Sequence, residues 1–237
     1  MSLLILVRHG QSTWNLEKKF TGWVDIDLSQ KGKEEAQKAG LLIKEKNISI
    51  NHFYSSLQLR AKHTLEIIQQ ILKNDKKFYM AWQLNERHYG ALTGLNKIEM
   101  SKKIGEDKIR ELRRSWDVRP DPLSKESPFH PFNIETYKKL PREIIPDTES
   151  LKDTYERVIK FFKAEIQKHL MTENVLISAH GNSIRALCKY LFELDNKQIA
   201  KLEIPTGNPL LISIDGKLKI KNSEYLDKER SKSLLVF

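Results

Sequence analysis

Two short stretches repeat one chemical pattern. Leu3-Leu-Ile-Leu-Val7 runs into Arg8-His9-Gly10-Gln11-Ser12, and Val175-Leu-Ile-Ser-Ala179 runs into His180-Gly181-Asn182-Ser183. Each continuous apolar run reads as a buried parallel strand that ends in His-Gly. Open α/β sheets bind ligands outside the carboxyl ends of their parallel strands, so neighbouring strands would set the two histidines across one pocket. A single histidine at a strand end reads as a hydrogen-bonded turn residue; two in the same context point to a paired site. Arg8 stands beside the first. Arg60 falls in the first turn of the helix after Tyr54-Ser-Ser56, where unpaired N–H groups and the helix dipole favour an anion. Guanidinium forks match phosphate oxygens bidentately. Alone, Arg60 would read as a surface helix residue; beside Arg8 and two histidines it reads as part of a phosphate pocket.

A metal suits these residues poorly. There is no His-Glu-x-x-His or comparable carboxylate pattern, and Arg8 beside His9 would repel a cation. His52, His63, His88, His130 and His169 lack the strand-end context and read as structural or exposed. What remains is phosphoryl chemistry on a histidine. A neutral imidazole can attack phosphorus through one nitrogen while the other donates its N–H to a backbone carbonyl, which fixes the tautomer. The second histidine and the arginines would then stabilise the equatorial oxygens of the transition state. Transfer to or from an alcohol also needs a group to move the hydroxyl proton. Glu86, in Leu84-Asn-Glu-Arg-His-Tyr-Gly90, could reach the same sheet edge; a surface pair with Arg87 is the alternative.

The elements that must position these groups follow from the patterning. Ser29 caps a helix containing Glu34 to Ile43; His52-Phe-Tyr54 is a second strand; Leu57 to Leu72 is an amphipathic helix; Phe78 to Leu84 is a weak strand. Ile98 to Trp116 reads as a charged helix. Pro120, Pro122, Pro128, Pro131, Pro141 and Pro146 then forbid regular helix, so residues 117–148 read as a Pro-rich surface excursion, a functional cover or mobile segment. Glu149 to His169 and Ser183 to Leu194 read as helices, and Pro209 to Ile214 with Lys217 to Ile220 as an edge hairpin turning at Asp215-Gly216. Strands alternating with helices predict an α/β fold, a mostly parallel central sheet flanked by helices, in one domain over residues 1–237.

Composition sets the bounds. With 237 residues, 39% of them hydrophobic, 10 Gly and 8 Pro, the chain is neither collagen-like nor disordered and can bury a core. A single cysteine, Cys188, excludes an intramolecular disulfide framework and a Cys-based zinc site. No apolar run is long enough to span a membrane, and the first residues do not read as a signal peptide, so the expected location is the cytoplasm. The net charge of +10, from 41 basic and 31 acidic residues, suggests an anionic partner. The lysines are dispersed, as at Lys44, Lys46, Lys102, Lys103, Lys138 and Lys139, with no arginine-rich arm or nucleic-acid motif. They read as a solvated surface, with neither nucleic acid nor membrane as partner. A homo-oligomer stays open.

Leu6-Val-Arg-His-Gly-Gln-Ser12 resembles the signature of the histidine phosphatase superfamily. Longer blocks are similar to one branch, the 2,3-bisphosphoglycerate-dependent phosphoglycerate mutases: Trp14-Asn15, Phe20-Thr-Gly-Trp23, Leu84 through Lys97, Arg113-Arg114, Ala179 through Leu187 and Ile204-Pro-Thr-Gly207. The resemblance implies a mutase that interconverts 3-phosphoglycerate and 2-phosphoglycerate, is primed by 2,3-bisphosphoglycerate and needs no metal. It implies that His9 is the phosphorylated nucleophile, Glu86 the proton donor and acceptor, and His180 a transition-state stabiliser. Arg8 and Arg60 would hold the transferring group. Ser12, Asn15, Thr21, Gly22, Tyr89, Gly181 and Asn182 would line the pocket, while Lys97, Arg113 and Arg114 would bind the carboxylate and second phosphate. Without the resemblance, Arg113-Arg114 reads as a solvated helix face. Asp117 to Glu143 matches the family's composition loosely, and the tail from Ser231 to Phe237 is short and apolar where family tails are longer and rich in Ala and Lys. The rival on the same scaffold is a phosphatase or bisphosphoglycerate-forming enzyme; the rival from another class is a basic protein that docks on a polyanion without turnover.

Overall fold

The structure, a computed structural model, describes residues 1–231; the apolar tail noted above continues over 232–237, outside the described residues. β1 (Ser2–Arg8), β2 (His52–Ser55), β3 (Tyr79–Met80), β4 (Val175–Ala179), β5 (Leu210–Ile214) and β6 (Ile220–Tyr225) form a six-stranded sheet in the order β3-β2-β4-β1-β5-β6. The pairs β1/β4, β2/β4 and β2/β3 are parallel, whereas β5 and β6 add an antiparallel edge. The expected mostly parallel α/β sheet is what forms.

Both faces of the sheet are covered at its centre, which is why β1 is apolar from Leu3 to Val7 and β4 is apolar but for Ser178. Alternation sends Ile5 and Val7 to one face, with Phe53 and Leu176. There they meet α2 (Gln30–Glu45) and α3 (Leu59–Leu72), which follow α1 (Thr13–Leu16), through Ala39, Ile43, Leu65 and Ile68. Leu4, Leu6, Val175 and Ile177 face the other way. Their partners include Val158, Ile184 and Leu187, each fully buried aliphatic chain contributing about 1.5–3 kcal/mol. The helices on that side are α6 (Leu151–Phe161) and α7 (Gly181–Leu191), with α8 (Asn196–Lys201) beyond. Gly10 allows one very close crossing: a Cβ there would lie 2.0 Å from the carbonyl oxygen of Gly32 in α2. The loop after β1 therefore rests directly on helix backbone.

Several elements differ from their expected bounds. The charged stretch from Ile98 is two helices, α4 (Lys97–Ile104) and α5 (Glu106–Arg114), because Gly105 takes φ +92° and ends the first. The weak strand shrinks to Tyr79–Met80 and gives way to a 3₁₀ turn at Trp82–Leu84. The helix from Leu151 widens into a π turn at Phe162–Ile166, and α7 starts at Gly181, directly after the histidine. The expected return strand Lys217–Ile220 is largely the hairpin turn, closed by Asp215 accepting from the Lys217 and Lys219 N–H groups at 2.9 Å each. Its strand runs on to Tyr225.

The Pro-rich excursion holds 3₁₀ turns at Pro131–Asn133, Glu135–Tyr137 and Arg142–Ile144, but it is pinned rather than loose. Buried Tyr137 donates its hydroxyl to the Trp23 carbonyl at 2.6 Å and clusters with Trp23 and Ile145. The Asp121 carbonyl accepts from Ala91 N–H at 2.7 Å. This segment fixes the loops around Trp23, which follows Gly22, and Ala91, two residues after Tyr89.

Candidate active site

Parallel pairing of β1 with β4, Arg8 opposite Ala179, brings the residues after both strands to one edge. The rings of His9 and His180 lie there with centroids 4.9 Å apart, both buried. His9 Nδ1 is 2.7 Å from the Gly10 carbonyl oxygen. A carbonyl only accepts, so Nδ1 carries the proton and Nε2 the lone pair. Burial, then the charges of Arg60 and Arg8, hold the His9 pKa well below 6.5 against the opposing pull of the Gly10 carbonyl. The ring is neutral at neutral pH. Burial and the neighbouring Arg60, His9 and Arg8 do the same to His180. Its Nε2 lies 2.7 Å from the Ser56 hydroxyl oxygen. With Ser56 donating, His180 carries its proton on Nδ1, a buried donor with no hydrogen-bond partner among the described residues.

A cavity of ≈ 110 Å³ opens at His9, walled by Arg8, Asn15, Thr21, Gly22, Arg60, Glu86, Tyr89, Lys97, Arg113, Arg114, Gly181 and Asn182. These residues come from the end of β1 and the start of α7, from α1 and the loop after it, the start of α3, the segment after β3, and α4 and α5. Two expected members are not on the wall. His180 is packed against His9 instead. Ser12 caps α1: its hydroxyl accepts from Asn15 N–H at 3.2 Å while Asn15 Oδ1 accepts from Ser12 N–H at 3.2 Å. It places Asn15 without lining the cavity.

Arg60 has a second task. Its guanidinium donates to the carbonyls of Val24 and Gly22, both at 2.9 Å, and so clamps the loop that carries Thr21 and Gly22. Arg8 donates to the Ile204 carbonyl at 2.7 Å. Glu86 Oε1 accepts from the N–H groups of Arg87 at 2.8 Å and Asn182 at 3.1 Å. Its Oε2 lies beside Gly181, 3.7 Å from where a Cβ would stand. The Tyr89 hydroxyl accepts from Asn182 Nδ2 at 3.1 Å, and the Arg87 guanidinium covers the Tyr89 ring at 4.5 Å. Burial would raise the Tyr89 pKa, but Arg87, Lys97 and Arg113 together bring it below the usual phenol value. Burial lowers that of Lys97, helped by Arg113 and Arg8.

Three further residues, assigned no role in the site from the sequence, line the cavity: Arg185, Glu203 and Ile204. Arg185 donates to Asn182 Oδ1 at 2.8 Å, and burial, with Arg114 and Arg87 nearby, brings its pKa down to about 9. Its signal was the three-residue spacing from Asn182 on one helix face. Glu203 forms an ion pair with Arg114 at the rim. Behind Glu86, the buried pair Arg157–Glu149 (2.6 Å) supports the segment, Arg157 donating to the carbonyls of Gln83, Asn85 and Glu86 at 2.7, 3.0 and 3.0 Å. No local pattern marks that pair.

The wall suits a small polyanion. Arg8 Nε, Thr21 Oγ1 and Arg185 Nε are buried with no hydrogen-bond partner among the described residues. Such groups cost about 1–3 kcal/mol each when unsatisfied, and anionic oxygens would satisfy them.

The family model of the histidine phosphatase superfamily (branch 1) matches residues 4–132 and 130–220. The chain is 66% identical over 238 residues to the 2,3-bisphosphoglycerate-dependent phosphoglycerate mutase of Pelagibacter ubique (strain HTCC1062), covering 100% of each. The chain belongs to the 2,3-bisphosphoglycerate-dependent phosphoglycerate mutase family. A second mutase of this family, from Hydrogenobaculum sp. (strain Y04AAS1), is 47% identical over 233 residues, 98% of this chain and 94% of that one. Among solved structures, Bacillus stearothermophilus YhfR superimposes with a TM-score of 0.69 at 21% identity, covering 93% and 95% of the two chains. A mycobacterial glucosyl-3-phosphoglycerate phosphatase does so with 0.69 at 19% identity, covering 95% and 98%. These distant likenesses establish the fold. Among the described residues, no helix is long and apolar enough to cross a membrane.

Proposed function

We propose that this mutase-family chain interconverts 3-phosphoglycerate and 2-phosphoglycerate through a phosphohistidine at His9, in glycolysis and gluconeogenesis in the cytoplasm. The observation that carries this reading is the neutral His9 ring, pinned through Nδ1 by the Gly10 carbonyl at 2.7 Å, in a cavity walled by arginine and lysine. The names of the closely similar relatives support the same substrate class.

2,3-Bisphosphoglycerate, when bound, supplies the phosphoryl group that primes the enzyme, and the unpartnered donors of Arg8 and Thr21 fit such an anion. His9 Nε2 takes the group as an N–P bond forms and a P–O bond breaks. Arg8, Arg60 and the Nδ1–H of His180 neutralise charge on the transferring oxygens. Glu86 protonates the departing oxygen and takes the proton back from the attacking hydroxyl. Lys97, Arg113 and Arg114 hold the carboxylate and the second phosphate while the substrate turns between the two transfers. Asn15, Gly22, Tyr89, Gly181 and Asn182 shape the cavity, with Ser12 fixing Asn15. No metal enters this scheme.

The test is an isomerisation assay in chelator, with and without trace 2,3-bisphosphoglycerate. Metal-independent conversion that starts on addition of the trace cofactor is the expected result. Phosphate release without isomerisation would instead assign a phosphatase, and no turnover with salt-dependent polyanion binding would assign a docking protein.

A further inference from the structure

The catalytic cavity takes the carboxyl ends of the parallel strands; a different cluster forms at their amino ends. His52 opens β2, Glu173 lies two residues before β4, and His169 begins a 3₁₀ turn at His169–Met171. The five residues of β4 separate this cluster from His180 by roughly 16 Å, at about 3.3 Å per residue. We propose that His52, His169 and Glu173 bind a divalent transition-metal ion, zinc by donor type, as a structural clip at this end of the sheet.

One donor atom from each residue lies within 4.8 Å of the other two. Glu173 Oε2 is 2.7 Å from His52 Nε2 and 3.4 Å from His169 Nδ1. The imidazoles lie nearly face to face, centroids 3.7 Å apart and planes inclined by 31°. Around tetrahedral zinc, with bonds near 2.0–2.1 Å, donor atoms stand about 3.3 Å apart. The His169–Glu173 separation already fits. The shorter one needs a small rotation, which the Glu173 side chain, 41% exposed, is free to make. Two imidazoles and one carboxylate suit zinc, cobalt or nickel, whereas magnesium and calcium prefer all-oxygen shells. His52 and His169 are 21% and 24% exposed, which leaves a path for the ion and room for water as fourth ligand.

The backbone holds these donors in place. Glu173 N–H donates to the His169 carbonyl at 2.9 Å, which sets both side chains on one turn. Asn51 and His52 N–H groups donate to the Asn174 carbonyl at 3.0 and 3.2 Å, and Asn174 N–H returns a bond to Asn51 Oδ1 at 3.0 Å. The two chain segments are thus locked together before any ion arrives. Binding would join β2 to the turn before β4 without touching the catalytic cavity, where Arg8 and Arg60 oppose a cation.

The experiment uses the full chain, stripped with chelator and then titrated with Co²⁺ or Zn²⁺. The readouts are the visible absorption of bound Co²⁺, competition for Zn²⁺ with a chromogenic chelator, and Tm. One ion per chain, a tetrahedral Co²⁺ spectrum and a Zn²⁺-dependent rise in Tm are expected. Changing even an indirect metal partner commonly costs 10–100-fold, so losing a direct ligand in His52→Ala or His169→Ala should weaken binding by at least about 100-fold. Glu173→Gln keeps hydrogen-bonding capacity but removes the charge, so it should also weaken binding and serves if an alanine variant fails to fold. No stoichiometric binding at micromolar metal overturns the proposal. So does binding unchanged in a folded His52→Ala, His169→Ala or Glu173→Gln variant, which would place the ion elsewhere and leave the cluster a plain hydrogen-bonded clip.

Discussion

Replacing Glu86 with glutamine should separate proton transfer from every other function of the cavity. Glu86 Oε1 accepts two backbone N–H groups, from Arg87 at 2.8 Å and Asn182 at 3.1 Å, and a glutamine carbonyl can accept the same pair. Each bond loses its charge assistance, a change of about 1 kcal/mol, so folding should weaken by about 2 kcal/mol at most. A domain with about 5–15 kcal/mol in hand survives that. What glutamine cannot do is give or take a proton at the position of Oε2. General acid–base assistance is worth about 10²–10⁴-fold, or about 2.7–5.4 kcal/mol of barrier. Isomerisation by Glu86→Gln should therefore fall by that factor. Phosphorylation of His9 by a donor whose leaving group is already a good anion should proceed at close to the normal rate. The assay is stopped-flow labelling of His9 with both donors, alongside steady-state turnover. If the rate falls equally with the activated donor, Glu86 acts by orienting the cavity wall, and its assignment as the acid is wrong.

Incubation with 2,3-bisphosphoglycerate should leave an acid-labile, base-stable phosphate on His9, lost in His9→Ala; label on His180 would reverse the two histidine roles. Arg113→Ala with Arg114→Ala removes two charged contacts of about 1.5–3 kcal/mol each from the non-reacting end. Isomerisation should collapse while hydrolysis of phospho-His9 stays within about tenfold, and parallel loss of both rates would mean that the pair touches the transferring group. Glu203 occupies Arg114 at the rim, and exposed ion pairs are worth about 0.2–1 kcal/mol, so Glu203→Gln should lower KM for 3-phosphoglycerate by up to about fivefold. An unchanged or raised KM counts against competition between Glu203 and substrate. His9, His88 and His180 all have depressed pKa values in the fold, that of His88 at about 3. The unfolded chain binds these protons near pH 6.5, so stability should fall below that pH by up to about 1.4 kcal/mol per pH unit for each histidine. Urea melts at pH 7 and pH 5 measure it, and His88→Gln should make the slope shallower.

The sequence alone determined β1 and β4, the parallel α/β architecture and the presence of two histidines at one sheet edge. Those are local matters: a continuous apolar run must be buried on both faces, and a residue directly after a parallel strand has little choice of position. The blocks that carry the resemblance around Glu86, Lys97 and Arg113-Arg114 hold Glu86, Tyr89, Lys97, Arg113 and Arg114 of the wall. Tertiary structure decided what neighbours in sequence could not. Gly105 splits one charged stretch into α4 and α5, and this break lets Lys97, Arg113 and Arg114 all line one cavity. The prolines between 117 and 148 announced the absence of regular helix, but the anchoring of the segment, by Tyr137 on the Trp23 carbonyl and by the Asp121 carbonyl on Ala91, shows only in the fold. Ser12 proved to be a helix cap because the competing partner, Asn15, is three residues away and always within reach. The Arg157–Glu149 support and the His52–His169–Glu173 cluster carry no local signature. His52 and His169 are 117 positions apart in the chain, and they meet because β2 and β4 pair in parallel. That pairing is selected by burial summed over two sheet faces, a long-range quantity that no short window of residues contains.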